Sequence, residues 1–116
     1  MKYLVLIYGT TDDTWTGSAE DVAAIRALTA LKDELAASGE LVSSEGLSLP
    51  RDGRVVQVRE GVKVVTDGPF GEAKEQIAGF FMIDVTTDER AQQIAARVSE
   101  LVTDRVELRS TVLTAP

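Results

Sequence analysis

Asp67 is the side chain whose sequence context best suits it to chemistry. It ends a valine-rich run and is followed by Gly68 and Pro69, so its carboxylate can project from the end of a strand. In a cleft shielded from water, such a carboxylate can act as a general base or as a polar anchor for a ligand. The commoner role of Asp before Gly is to cap its own turn by accepting backbone N–H bonds. The sequence leaves both roles open.

Four further polar side chains could support Asp67 in a ligand site, namely Tyr8, Glu45, Lys74 and Glu75. Glu45 ends an extended segment, where it could face Asp67, share a proton with it or help to hold a hard cation. Lys74 and Glu75 could hold an anionic or hydroxylated ligand, although exposed charges are usually only solvated. Tyr8 could donate its hydroxyl to a ligand or pack its ring and leave the hydroxyl in water.

Two aromatic residues and two arginines complete the set of candidates. Phe70 could line a cleft, although packing beneath the turn is the commoner role, and Trp15 could cover the cleft or anchor a dimer. Arg105 and Arg109 lie on the polar side of the last predicted strand, where a guanidinium can bind a carboxylate ligand through two bonds. Ion pairs across strands or between subunits are the commoner use of such arginines.

Cysteine and histidine are both absent from the 116 residues, and their absence excludes several kinds of site. Disulfides, thiolate or imidazole metal sites, and Ser–His–Asp or Cys–His catalysis all need these residues. Proton transfer would therefore have to use Asp, Glu, Lys, Tyr, the backbone or the substrate. We expect neither a metal nor a cofactor.

The net charge of the chain limits the classes of partner that it can bind. The formal net charge is −7, from 19 acidic and 12 basic residues, and the basic residues form no run. An acidic surface repels phosphate backbones and anionic lipids, so we expect neither nucleic-acid nor membrane binding. The apolar opening, residues 4–7, is too short for a signal sequence or a membrane span, which favours a cytoplasmic location.

The elements that must position these residues begin with two apolar runs, 2–8 and 77–85, which predict the central strands of a sheet. Ser18 followed by Asp21 predicts the start of a first helix, and Gly39 predicts its end. Five apolar residues give that helix one stripe: Val22, Ile25, Leu28, Leu31 and Leu35.

The remaining elements follow from similar patterns. Thr86 followed by Glu89 predicts a capping box at the start of a second helix. An extended segment is predicted at 40–49, and a last strand at 105–113 with Val106, Leu108 and Val112 on its apolar face.

Two short valine-rich runs, 54–59 and 62–66, are separated by Glu60-Gly61, which predicts a tight hairpin inserted at about residues 53–67. The order of elements predicts a single α+β domain over residues 1–116, with a ferredoxin-like βαββαβ plan. In this plan two helices lie on one face of an antiparallel sheet.

The predicted central strands are apolar on both faces, whereas two helices can cover only one face of a sheet. The other face needs a second cover, and the simplest is a second copy packed sheet to sheet about a two-fold axis. A bulky ligand, or the hairpin folded beneath the sheet, could cover part of it. We therefore expect a homodimer.

The segment Asp67-Gly68-Pro69-Phe70, followed by Glu72, Lys74, Glu75 and the strand sequence Gly-Phe-Phe-Met-Ile-Asp, resembles the signature of the DGPF family within the YCII-related superfamily. The opening Met-Lys-Tyr-Leu-Val-Leu-Ile-Tyr-Gly and the Glu45-Gly46-Leu47 segment are also similar to family features. The resemblance covers nearly the whole chain. It implies a ferredoxin-like dimeric α/β barrel with a cleft between the sheet and its loops. Some relatives are similar to lyases that use a His–Asp pair, which this His-free chain cannot provide.

Three functions follow as expectations. The first is a small-molecule-binding dimer that could act as a cofactor-independent lyase or other proton-transfer enzyme, with Asp67 as its base. The second is a non-catalytic regulatory or partner-binding dimer, and the third is a cofactor-free oxygenase. A closed pocket with converging polar groups would favour an enzyme, whereas an exposed apolar patch without a buried charge would favour a binding module.

Overall fold

The computed structural model describes residues 1–10, 17–68 and 75–113, and the structural statements below concern these ranges. The elements along the chain are β1 (Lys2–Thr10), α1 (Ala19–Ala37), β2 (Leu41–Gly46), β3 (Arg54–Arg59), β4 (Val62–Asp67), β5 (Glu75–Asp84), α2 (Asp88–Val102) and β6 (Val106–Ser110). A short 3-10 turn, Pro50–Asp52, lies between β2 and β3.

Four of the strands form one antiparallel sheet in the order β2-β5-β1-β6. Its central strands are the two predicted from the apolar runs, and the strand order is that of a ferredoxin-like fold. The predicted α+β architecture with an inserted hairpin is therefore confirmed.

The core lies between the two helices and one face of this sheet. Its most deeply buried side chains come from alternate strand positions and from one stripe of each helix: Val5, Phe81, Ile83, Leu31, Leu35, Ile94 and Val98. Side chains alternate between the two faces of a sheet, so their neighbours in sequence lie on the other side. That other side, which we call the open face, carries five half-buried side chains: Leu4, Leu6, Tyr8, Phe80 and Met82.

Helix α1 begins and ends where its sequence predicts. The Ser18 Oγ accepts a hydrogen bond from the Asp21 N–H at 3.1 Å, and Gly39 has φ +80° just beyond the last turn. Only the later part of the apolar stripe of α1 is buried, whereas Val22 and Ile25 are 38% and 52% exposed. No described helix is both long enough and apolar enough to span a membrane.

Helix α2 begins one residue later than predicted. Its N-cap is Thr87, whose Oγ1 accepts a hydrogen bond from the Arg90 N–H at 3.0 Å, so the predicted capping box at Thr86 is wrong. The chain is still bonded to the sheet at Val85, whose N–H donates to the Met1 carbonyl at 2.8 Å, and Thr86 forms a bend between that bond and the cap.

Strand β6 ends at Ser110, earlier than the predicted residue 113. Its partner strand accounts for this, since β1 begins at Lys2 and the last pair in the register is Tyr3 with Ser110. Val112, predicted to lie on the apolar face, is 98% exposed.

Strands β3 and β4 form a separate two-stranded hairpin, which we call the arm. Its turn is Glu60-Gly61, with φ of 50° and 80°, a combination typical of a type I′ hairpin turn. Among the described elements, each arm strand packs extensively only on the other. The arm therefore projects from the body, and the radius of gyration is 16.1 Å, whereas a compact chain of this length has about 13 Å.

Candidate functional site

Asp67 lies at the base of the arm, where it is paired with Arg54 in the register of β3 and β4. Its Oδ1 is 3.8 Å from the Arg54 Nε, and its side chain is 93% exposed. An ion pair this exposed is screened by water and contributes little stability. The turn that Asp67 is predicted to cap runs into residues 69–74, which lie outside the described residues. Gly68, the last residue before them, has φ +89°, a value that favours glycine.

Three predicted site residues share the open face of the sheet. Tyr8 lies on β1, Glu45 pairs with Phe80 of β5, and Arg109 pairs with Leu4 of β1. Glu45 and Arg109 belong to the two edge strands, which lie about 14 Å apart at the usual strand spacing. These polar side chains flank the apolar centre of the open face and do not converge on one point.

The predicted pairing of Glu45 with Asp67 joins residues of different sheets. Glu45 lies on β2 of the four-stranded sheet, whereas Asp67 ends β4 in the arm. Within ranges 1–10, 17–68 and 75–113, no group of three or more acidic side chains could hold a metal ion. Shared proton transfer by these two carboxylates stays a prediction.

The other candidate residues are only partly described. Trp15, Phe70 and Lys74 lie outside the described residues, and Glu75 is described only through its backbone, which pairs with Thr10.

The two arginines predicted to lie on the last strand are both exposed. Arg109 binds Glu107, two residues earlier on the same strand, with Nη1 3.0 Å from Oε1. Arg105 lies just before β6, at the start of the segment predicted as a strand. The pair within one strand differs from the cross-strand or intersubunit pair expected for Arg109.

A small cleft that the sequence did not predict lies at the end of the sheet. It encloses about 60 Å³, and its walls come from the start of β5, the end of β1 and the segment after β2. Its lining residues are Gly9, Leu47, Ser48, Leu49, Pro50, Gln76, Ile77 and Ala78. The Leu47 N–H donates to the Ala78 carbonyl at 2.8 Å and so holds the segment after β2 against β5. We call this the end-of-sheet cleft.

Close packing of β2 on β5 depends on Gly79. A Cβ at this position would lie 2.8 Å from the Glu45 carbonyl oxygen, closer than real side chains come. Gly79 therefore allows β2, and with it the segment that lines the end-of-sheet cleft, to approach β5. The isolated apolar residues of positions 47–50 were the only sequence signal for this cleft.

A large shift in acidity occurs at Glu40, which lies away from the open face and the end-of-sheet cleft. Hydrogen bonds from Arg90, and then from Ser38, lower the pKa of Glu40 to about 2. A second pair joins the helices, since Arg97 binds both carboxylate oxygens of Glu34 at 2.8 Å and lowers the pKa of that group. The first pair joins the edge of the sheet to α2 and the second joins the two helices, and neither lines the end-of-sheet cleft.

Comparison with known proteins identifies the family of this chain. Residues 1–111 match the model of the YCII-related domain. The chain is also 32% identical over 100 residues to uncharacterized protein R00369 of Rhizobium meliloti (strain 1021), a match that covers 85% of this chain and 81% of the relative. With nearly its whole length matched, this chain belongs to the YCII-related family.

Proposed function

We propose that this protein is a homodimeric domain that binds a small organic molecule. The observation that carries the proposal is the open face, where Leu4, Leu6 and Phe80 form an apolar surface on the side of the sheet opposite the helices. Removing apolar surface from water is favourable, and a second copy packed about a two-fold axis would remove two open faces at once. A chain without cysteine needs no oxidising compartment, which fits a cytoplasmic location.

The ligand is proposed to occupy the end-of-sheet cleft. Its lining of leucine, isoleucine and proline suits an apolar group. Ligand pockets usually enclose about 300–1,000 Å³, whereas this cleft encloses about 60 Å³. One chain therefore accepts only a group of a few heavy atoms, and the second copy would supply the remaining walls.

Binding fits the exposure of the side chains better than catalysis does. A carboxylate base works best where water is excluded, and the Asp67 side chain is 93% exposed in the single chain. No charged side chain of the described residues is buried, whereas Val56, Val58 and Val65 are exposed. This combination is typical of a binding module. Proton transfer by Asp67 would require that the second copy shield it.

Light scattering after gel filtration tests the dimer. We expect the wild-type chain to have twice its monomer mass of 12.5 kDa. Leu6→Asp, which places a charge at the centre of the open face, should give the monomer mass. Val112→Asp is the matched control, because Val112 is 98% exposed and lies beyond β6. A wild-type monomer would contradict the proposal.

Adding neutral aromatic fragments to the protein and recording methyl NMR spectra tests the ligand site. Fragments that bind should shift the methyl signals of Leu47 and Ile77, which line the end-of-sheet cleft. Ile77→Arg should abolish the shifts, whereas Leu113→Arg, at a position that is 90% exposed, should preserve them. If no fragment shifts these signals while the dimer persists, the partner-binding function replaces the ligand-binding one.

A further inference from the structure

The arm has one face whose valines are exposed and which the rest of the described chain does not cover. Pairing across the hairpin places Val56 opposite Val65 and Val58 opposite Lys63, so the three valines lie on the same face. They are 61%, 72% and 47% exposed, in the order Val56, Val58 and Val65. We call these three residues the valine face. The opposite side of the arm includes Val55, Gln57 and Val64, which are half-buried.

The arm is also too small to stand alone. A two-stranded hairpin in water is at best marginally stable, and it usually needs a hydrophobic surface to pack against. Within the described ranges the arm does not pack on such a surface of its own chain, because each arm strand packs extensively only on the other. The arm therefore does not lie over the open face of its own chain, an alternative partial cover that the sequence left open beside the expected second copy.

We infer that the arm of each copy packs its valine face on the body of the second copy. This inference rests on the proposed homodimer and assigns a part of its interface that the open face does not include. The docking is reciprocal, because a two-fold axis that places one arm on the partner places the partner's arm on the first copy.

Charge supports a second copy as the occupant. The arm, residues 54–67, contains three basic and two acidic residues, a net charge of +1, whereas the whole chain carries −7. The remainder of each chain therefore carries −8, so two bodies repel one another while the arm of one is attracted to the body of the other. A contact between copies that includes the arm reduces this repulsion.

The size of the open face supports the same assignment. Four strands about 4.8 Å apart, with about seven residues each at about 3.3 Å, give a flat footprint of roughly 450 Å². Stable interfaces bury about 800 Å² of accessible surface on each partner, and a docked arm adds to the area that the open face supplies. Two reciprocal arms add apolar area on both sides of the two-fold axis.

Two matched substitutions on the arm test the inference. Val58→Glu places a carboxylate on the valine face opposite Lys63, and Val62→Glu places one on the other face opposite Arg59. Both variants gain a favourable cross-strand charge pair, so each should keep the arm folded. Sedimentation equilibrium should show the dimer dissociation constant raised about tenfold or more by Val58→Glu and little changed by Val62→Glu. Circular dichroism checks the fold of each variant.

The open-face variant separates failure of this inference from failure of the proposed dimer. If Leu6→Asp disrupts the dimer while Val58→Glu and Val62→Glu leave it equally tight, the arm inference is overturned and the dimer stands. If the wild-type chain sediments as a monomer, both proposals fail. If Val58→Glu alone weakens the dimer, the arm inference stands and the open face is not the interface.

Cross-linking supplies a second readout. The chain has no cysteine, so Val58→Cys creates a single site for a benzophenone maleimide label. The labelled chain carries nitrogen-14 and is mixed with chains that carry nitrogen-15. Irradiation should cross-link the labelled arm to nitrogen-15 peptides of the other chain, which mass spectrometry identifies. Val112→Cys, at an exposed position outside the arm, should give few such products. Cross-links from Val58→Cys that stay within one chain would contradict the inference.

Discussion

Arg90 of α2 binds the Glu40 carboxylate through two hydrogen bonds, with Nε 2.8 Å from Oε2 and Nη2 2.9 Å from Oε1. The Ser38 hydroxyl donates to the same carboxylate at 2.8 Å. Glu40 immediately precedes β2, so this ion pair joins an edge of the sheet to a helix that lies 50 residues away in sequence.

The stability of the protein should therefore depend on pH in acid. Because the pKa of Glu40 is lowered from 4.5 to about 2 in the folded chain, its ionised carboxylate stabilises the fold above pH 4.5. That contribution disappears as the pH falls towards 2, and after screening by water it amounts to about 1–2 kcal/mol. Urea unfolding across this range should give a shallower dependence on pH for Glu40→Gln than for the wild type.

The stability of the protein should depend on the Thr87 side chain at the start of α2 and not on the neighbouring Thr86 side chain. Thr87→Ala removes the oxygen that accepts the Arg90 N–H at 3.0 Å, and should lower the free energy of unfolding. The typical loss for such a cap is about 1 kcal/mol. Thr86→Ala is the matched control, and urea unfolding should show it within about 0.5 kcal/mol of the wild type. Equal effects of the two substitutions would contradict the observed cap.

Gly79 should resist replacement by alanine, whereas Gly46 should tolerate it. A Cβ on Gly79 would meet the Glu45 carbonyl oxygen at 2.8 Å, and backbone atoms cannot move aside without disturbing β2. We expect Gly79→Ala to lower the free energy of unfolding by about 1–3 kcal/mol. A Cβ on Gly46 would have no atom within 4 Å, so Gly46→Ala is the control. Thermal unfolding followed by circular dichroism compares the two.

Asp67 should behave as a turn cap in stability measurements. Asn can replace Asp in this role, and the exposed ion pair with Arg54, at 3.8 Å, contributes little. We therefore expect Asp67→Asn to unfold at the wild-type temperature and Asp67→Ala to be less stable by about 1 kcal/mol. If both variants were as stable as the wild type or more stable, the carboxylate would instead be retained for a function.

The predictions that succeeded depend on local chemistry. Ser18 and Gly39 mark the ends of α1 because a side-chain cap and a positive φ act within a few residues. Glu60-Gly61 gave the arm its turn for the same reason. The central strands were recognisable because their apolar residues are continuous in sequence.

The predictions that failed depend on distant parts of the chain. Thr86 and Thr87 are equally good caps by type, so the residue types alone could not show that Thr87 is the one that caps α2. The end of β6 is set by where β1 begins, so the position of Val112 could not be predicted from its own neighbours. The Glu40–Arg90 pair could not be predicted either, because its two residues lie 50 positions apart in the sequence.

For the candidate site, the sequence supplied residue types but not the register between strands. Tyr8 follows a shift in the pairing of β1 with β5, and a similar shift affects the start of β2. Because a slip of one residue moves a side chain to the other face, the shared face of Tyr8, Glu45 and Arg109 needed the structure. The end-of-sheet cleft was missed because its walls come from three separate segments.

The place of β1 at the centre of the sheet has a consequence for how the chain is made. The two neighbours of β1, β5 and β6, are synthesised only after α1 and the arm. Until then the apolar residues of β1 have no strand partners. Unpaired apolar strands are prone to aggregate. Pairing with β5 and β6, which are made later, therefore protects β1 from aggregation. A chain that stopped before Val106 would leave β1 as an open edge, ready to add strands from other molecules.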